Sequence, residues 1–307
     1  MGNVINMIGG GENVNAEVAT QKTDIELIAK QIASVQLAFN STYVWGKYTA
    51  SGGDLLDYVY STDSSAYPDG STQGGYYYKW VKPVEDFATS TWAEIKAAVQ
   101  KGIGGLDLSK CWAVGDTKSV TLTTGETIEL QIAGFNHDTY SDGVTAPVTL
   151  VMKNCLNITA PMNSSDTNSG GYPASAMKTY VETNIYDKLP SDLKTIVAPV
   201  KKKCYTTYNQ ASSLSEANYN VWLLAEAEVF DSVTQTVGSG EGTKYPIFTD
   251  DTSRSKKING LANIWWLRSA RSSHSTVFVL VNYGGSIVSI SYSSENSFGV
   301  VVGLCVR

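Results

Sequence analysis

Imidazole chemistry in this 307-residue chain rests on two histidines, His137 in "GFNHDTYSD" and His274 in "RSSHSTV". His137 precedes Asp138 and Asp142, a pattern that could serve a cation loop or a carboxylate-assisted base. A solitary imidazole among turn residues more often closes hydrogen bonds than moves protons, so His137 is read as structural. The thiols offer less. Cys111, Cys155, Cys204 and Cys305 lie far apart, with no CxxC pair and no nearby histidine, so no zinc site is expected. Reduced, buried thiols are expected instead, because disulfides would require a secretory setting that nothing else supports. The glycine-rich "GSGEG" lacks the Lys-Ser/Thr ending of a phosphate loop. The Asn-x-Ser/Thr triplets at Asn40, Asn157 and Asn163 matter only under eukaryotic secretion. The expectation is no catalytic residue, no metal and no cofactor.

What the sequence does offer is contact chemistry, in the closing stretch "IWWLRSARSSHSTVFVLVNYGGSIVSISYSSENSFGVVVGLCVR". Its middle is built from serine, small β-formers and tyrosine. Tyrosine supplies rigid amphipathic contact area and serine adaptable hydrogen bonds, the mixture that binding loops favour. Thr276 to Asn282 reads as an alternating strand, "NYGG" as a turn, and Ser286 to Tyr292 as the return, leaving one face outside the core. The residues expected to be exposed and replaceable on that face are Arg271, Ser273, His274, Thr276, Leu280, Tyr283, Ser286, Ser289, Ser291, Tyr292 and Ser294. Arg271, His274, Tyr283 and Tyr292 would be the anchors, since aromatic and arginine side chains carry most interface energy. The flanks read as a fixed frame. Trp265, Trp266 and Leu267 are expected to fill the core beneath the face, Arg268 to order a loop by hydrogen bonding, and Val300 to Val306 to close the fold as a buried strand.

Composition bounds the body that must hold this face. Only 17% of residues are charged, against 18 Tyr, 7 Trp and 27 Gly, which favours a β-rich, loop-rich domain, and 42% hydrophobic residues suffice for a sizeable core. A net charge of −6 argues against a nucleic-acid or anionic-membrane surface. The one dense basic run, Lys201 to Lys203, reads as a solvated helix end. No apolar stretch approaches a membrane span, so no membrane insertion is expected. The N-terminus lacks the basic and apolar regions of a signal peptide, and "MGNVIN" has Asn6 where myristoylation wants Ser or Thr.

Along the chain, residues 1–15 are Gly/Asn-rich and expected to be flexible. Residues 16–39 carry a heptad: Val18, Ile25, Ile32 and Phe39 repeat at one position, with Ile28 and Val35 at the second and Gln21 as its polar exception. β-Branched residues at both positions favour assemblies above the dimer, so a trimer is expected, although a single amphipathic helix packed on its own domain fits the same text. Residues 42–83 read as a small β-rich connecting module with "PDG" and "GG" turns, ending at Pro83. The remainder, 84–307, opens with a helix in "STWAEIKAAVQKG", capped by Ser90 or Thr91 and stopped by Gly102. A hairpin around Thr124 and Gly125 follows, then a buried strand in "APVTLVMKN". Two helices are expected, in "ASAMKTYVETNIYDKL" and in "PSDLKTIVAPV" from Pro190. Short strands, two helical patches and long loops make this an α+β domain.

The ordered set "WAVGDTKSVTL", "IAGFNHD", "GGYPASAMKTYV", "VWLLAEAEVF", "GTKYPIF" and "WWLRSA" resembles the bacterial and phage domain family DUF6273 over roughly residues 84–307. The resemblance implies a C-type-lectin-like fold related to the formylglycine-generating-enzyme group. It also implies a variable protein of a diversity-generating retroelement, in which adenine-directed copying rewrites a C-terminal segment, here about residues 269–298. Randomised Asn codons still end in a pyrimidine, which excludes Glu, Lys, Gln, Met and Trp. Ser269 to Ser294 contains none of the five. At ordinary residue usage that gap has a chance on the order of one in several hundred, although exposed hairpins are poor in Glu and Lys in any case.

On this reading the chain is a non-enzymatic display protein whose face at about 270–294 recognises a cell-surface protein or glycan, such as a phage tail-fibre tip. It would reside in the virion, or in the bacterial cytoplasm before assembly. The alternatives are an enzyme of the formylglycine-generating-like fold class, for which Cys305 alone supplies no active-site thiol arrangement, and a bacterial surface carbohydrate-binding adhesin, for which a secretion signal is missing.

The heptad generates the first prediction: light scattering of the full chain at micromolar concentration should give a trimer, and a chain starting at Thr42 should be monomeric. A monomeric full chain would remove the assembly role from 16–39.

Overall fold

Tyrosine-rich strands pair with one another in the smaller of two units in the computed structural model. The structure describes residues 84–288 and 294–307, together with three strands nearer the N-terminus: Val44–Lys47 (β1), Tyr58–Ser61 (β2) and Tyr76–Val81 (β3). Strand β3 is central, antiparallel to β1 with Val44 opposite Val81 and to β2 with Tyr58 opposite Lys79. The chain divides into Met1–Pro83 and Val84–Arg307. The flexible leader and the heptad helix expected over 16–39 lie outside the described residues.

The larger unit begins with helix α1, Trp92–Ile103. Thr91 caps it with a reciprocal pair of bonds: its hydroxyl accepts from Glu94 N (3.2 Å), and the Glu94 carboxylate accepts from Thr91 N (2.7 Å). Trp92, Ile95 and Val99 form its buried face. Gly102 does not end the helix, contrary to the expectation from sequence; Gly104 caps it, donating to Gln100 O (3.0 Å). A Cβ on Gly102 would stand 2.8 Å from Pro147 Cβ, so packing requires the glycine there, not termination.

The expected hairpin is present as β4 (Thr117–Thr121) and β5 (Thr127–Phe135), turning at Gly125 with φ of 90°. "APVTLVMKN" supplies β6 (Val148–Met152), buried at every residue. After β7 (Thr159–Pro161) comes helix α2, Ala176–Asn184, capped by Ser175. "PSDLKTIVAPV" gives a single helical turn, Ser191–Lys194, and then turns to strand in β8 (Val197–Ala198) and β9 (Val200–Tyr205). The β-branched run Thr195–Val197 before Pro199 favours extended backbone over a second helix. Lys201–Lys203 is therefore not a solvated helix end. It lies in β9, paired to β10 (Leu214–Tyr219) with Lys203 opposite Glu216, and Lys202 is buried.

The remaining strands are β11 (Val221–Leu223), β12 (Lys256–Ile258), β13 (Leu261–Asn263), β14 (Trp265–Ala270), β15 (Phe278–Val281), β16 (Ser297–Gly299) and β17 (Val302–Val306). The main sheet runs β11-β17-β6-β5-β4, with β8 also on β17, and curls as a half-barrel. A second sheet runs β15-β14-β16-β7, with β14 and β16 parallel. The whole is α+β, mostly strand. Strands β6, β14, β15 and β17 are buried throughout, which is why β15 and β17 are continuously apolar and do not alternate, while β6 and β14 also bury polar residues, Thr149, Arg268 and Ser269. This overturns the alternating strand read at Thr276–Asn282, since Val277 to Val281 are all buried. Among the described residues no helix is long and apolar enough to cross a membrane.

Lys256 is buried in the core: its ammonium donates to Met152 O (3.4 Å) and stands 5.4 Å from the Phe248 ring. Burial pushes its pKa down to about 8. A lysine pKa lowered in the fold means the charged form is penalised, so stability is gained as pH rises from about 8 toward the ordinary lysine value. Lys256→Met should therefore raise the melting temperature by about 2–6 °C near pH 7, and thermal melts at higher pH should show the gap closing by about pH 10.

Candidate functional site

Arg268 is fully buried on β14 and saturates its donors. Its guanidinium bonds Glu228 through both terminal nitrogens (Nη1 to Oε2, 2.5 Å; Nη2 to Oε1, 3.0 Å), and donates to the carbonyls of Leu223 (2.8 Å), Glu241 (2.6 Å) and Lys203 (3.3 Å). One of these acceptors, Glu241 O, lies in the glycine-rich 238–242 segment. Glu228 also accepts from Ala225 N (2.9 Å) and from Lys202 Nζ (2.8 Å). Lys202 further donates to Asp138 Oδ1 and to the Tyr245 hydroxyl (2.7 Å). Asp138 Oδ2 accepts from Tyr245 OH (2.9 Å) and Thr149 Oγ1 (2.7 Å). Two buried acids and two buried bases balance one another, as buried charges must. Burial acts to raise both carboxyl pKa values, but Lys202 and its hydrogen-bonding neighbours hold Asp138 far below the usual range, and Arg268 with Lys202 holds Glu228 below it. Glu241 goes the other way. Burial raises it to about 7 against the pull of Arg268.

Beside this cluster lies a cleft of about 480 Å³, lined by residues that include His137, Asp138, Lys202, Glu228 and Glu241. Its acids and bases are engaged with the protein itself, Glu241 accepting from Tyr205 N (3.0 Å) and from the Ser269 hydroxyl. His137 packs on the Tyr245 ring (4.2 Å between centroids), and its Nε2 meets Thr243 Oγ1 (3.1 Å) and Lys244 O (3.3 Å). That is a positioning arrangement. Asp142 does not join it, pairing with Arg307 instead. Among the described residues no group of three His, Cys, Asp or Glu is placed to hold a metal ion, and the four cysteines are buried thiols with no disulfide between them.

The C-terminal face divides in two. Trp265, Trp266 and Arg268 are fully buried, Trp266 Nε1 donating to Ala160 O (2.9 Å). Ser273, His274 and Tyr283 are exposed, Tyr283 by 60%, and Arg271, Thr276 and Ser286 are half-buried. Leu280 and Ser294 are buried, a correction to their expected exposure. Leu280 pairs with Trp266 inside a strand covered on both sides. Ser294 ties loops together: its hydroxyl donates to Ser165 O (3.0 Å) and accepts from Thr167 N (2.9 Å), and its N–H donates to Thr276 O (2.9 Å). Ser289, Ser291 and Tyr292 lie outside the described residues.

The exposed turns are held by their main chain. Asn168 Nδ2 donates to the carbonyls of His274 and Val277 (both 2.8 Å), and Asn168 N to Ser275 O (2.8 Å). Ser272 N donates to Gln235 O (2.8 Å), and the Gln235 loop is itself fixed by buried Glu226, whose carboxylate accepts from the N–H groups of Thr234, Gln235 and Thr236 (2.7 to 2.9 Å). At the other end, Asn282 Oδ1 accepts from Gly284 N and Ser286 N, Arg254 Nε donates to Gly285 O (3.0 Å), and Ser255 Oγ donates to Tyr283 O (2.6 Å). Gly285 has φ of 88°, and a Cβ there would stand 1.8 Å from Asp251 O, so no other residue fits. Sequence reasoning missed Asn168, Glu226, Gln235 and Arg254, because each sits in text that reads as loop or acidic surface.

Residues 146–307, more than half of the chain, match the family model described as "Domain of unknown function (DUF6273)". No curated protein and no solved structure matches the chain.

The bracing generates a contrast that urea melts can read. Asn168→Ala leaves two loop carbonyls without their donor and should cost about 1–3 kcal/mol. Ser273→Ala and His274→Ala should stay within about 0.5 kcal/mol, as surface changes do.

Proposed function

The chain belongs to the DUF6273 family, and we propose that its larger unit is a ligand-binding display domain whose C-terminal face recognises a cell-surface protein or glycan. One observation carries the reading: the turns at 271–276 and 282–286 are fixed through main-chain atoms, largely by residues outside the suspected variable run, while Ser273, His274 and Tyr283 point their side chains to solvent. Side chains there can change without unseating the backbone, which is what a diversified surface requires. Ser and Tyr suit such a surface for the reasons that antibody loops use them. On this reading the fold is C-type-lectin-like and the run about 269–298 is rewritten by a diversity-generating retroelement, within limits set by the buried Leu280 and Ser294. Trimerisation through 16–39 would multiply weak contacts into useful avidity, as a phage tail-fibre tip needs.

An enzyme working in the cleft is the weaker reading. The groups that line it are hydrogen-bonded to one another, and outside it burial pushes the Cys155 and Cys204 thiols up to about 12, away from nucleophilic thiolate.

Two measurements test the display reading together. Sequencing the 3′ end of the gene from many cells of one population should find differences concentrated in the codons of exposed residues such as Ser273, His274 and Tyr283, with those of Trp266 and Ser294 constant. Replacing Arg271, Ser273, His274, Thr276 and Tyr283 together should leave the melting temperature within a few degrees and abolish adherence to target cells, whereas Trp266→Ala should cost about 3–5 kcal/mol. A collapsed five-fold variant beside a silent Trp266→Ala would reverse the assignment of core and face.

A further inference from the structure

Three buried side chains of complementary chemistry meet at the floor of the cleft. Lys202 is 4% exposed, Asp138 6% and Glu228 1%. The Lys202 ammonium contacts Asp138 Oδ1 directly and Glu228 Oε1 at 2.8 Å, with the Trp222 ring 4.4 Å and the Tyr245 ring 5.3 Å away. The oxygen of Asp138 that faces away from Lys202, Oδ2, is held by two hydroxyls, Tyr245 OH and Thr149 Oγ1. An amine against a carboxyl group, a second carboxylate within reach of the same nitrogen, and donors on the far oxygen are the parts that amide condensation needs.

We propose that the domain forms an intramolecular amide bond between Lys202 Nζ and Asp138 Cγ, with Glu228 as the catalytic proton relay. The ion pair described above is the reactant state. Glu228 takes a proton from the ammonium and passes it to Oδ1, so that a neutral amine faces a neutral carboxylic acid and the nitrogen lone pair can attack Cγ. The Nζ–Cγ bond forms as negative charge gathers on Oδ2, where Tyr245 and Thr149 stabilise it. The Cγ–Oδ1 bond then breaks. Of the three ammonium protons one stays on the amide nitrogen, and two, relayed by Glu228, leave on Oδ1 as water. Glu228 returns to its carboxylate form, and no oxidant or co-reactant is consumed.

Charge balance favours the product. Condensation removes one buried positive and one buried negative charge together, and the pair that remains, Glu228 with Arg268, is already bonded through both guanidinium nitrogens. The desolvation penalty of one ion pair is thereby abolished. The new bond would tie β9 to the segment that follows β5, across the floor of the cleft.

Intact mass spectrometry of the purified, denatured full chain tests the proposal. The expected mass is that of the sequence less one water molecule, and tryptic digestion should yield a branched species joining the peptides that contain Asp138 and Lys202. Lys202→Arg and Glu228→Gln should each restore the unmodified mass. Dehydration at an Asp-Gly step such as Asp142-Gly143 would give the same mass change, but that product reverts in mild alkali and yields no branched peptide. A wild-type chain of full sequence mass, or a water loss that survives Lys202→Arg, would overturn the bond. A water loss that survives Glu228→Gln would overturn the relay.

Discussion

Everything in the larger unit is organised around the burial of Arg268. A guanidinium cannot be deprotonated in a protein interior, so its charge has to be matched and its donors have to be filled. Glu228 supplies the charge and the carbonyls of Lys203, Leu223 and Glu241 fill the donors. Those acceptors come from β9, β11 and the glycine-rich loop. One side chain on β14 therefore fixes three separate stretches of chain, which is why so loop-rich a domain can have a defined interior.

The second pair, Lys202 with Asp138, extends that cluster and depends on it, because Glu228 touches both cations. Removing one partner would leave an uncompensated buried charge, a large penalty compared with the modest net worth of an intact pair. The cluster also reaches the C-terminal face. Ser269, next to Arg268, takes a hydrogen bond from Glu226 N and gives one to Glu241, and the Glu226 carboxylate holds the loop on which Ser272 leans. Frame and face are joined by main-chain contacts and by the Ser272 hydroxyl, which donates to Gln235 O (2.9 Å).

Support through the main chain is the physical condition for a surface that can change. Where a loop is held by its own side chains, each substitution alters its shape. Where it is held by its carbonyls and N–H groups, through Asn168, Gln235, Arg254 and Ser255, substitution alters only what is presented. Ser269, Ser272, Asn282, Ser286 and Ser294 differ within the suspected run, since their side chains also hold the loops.

Local features were legible in the sequence because their causes are local. The Thr91 cap with Glu94, the turn at Gly125, and the frame residues Trp265, Trp266 and Arg268 follow from short-range hydrogen bonding, positive φ and bulk that only a core accommodates. What tertiary structure decided are the positions where environment overrides residue type. Lys202 lies in a basic run that suggests solvent, yet three acceptors from distant segments make burial tolerable. From sequence Leu280 and Ser294 are expected on an exposed face, yet β15 is covered on both faces and Ser294 joins loops more than 120 residues apart in sequence. A period-two pattern signals a strand with one wet face, and it says nothing of a second layer that arrives from elsewhere in the chain. Pairing partners so far apart are set by the fold as a whole, so neither the buried cluster nor the bracing of the face could be read from the sequence alone.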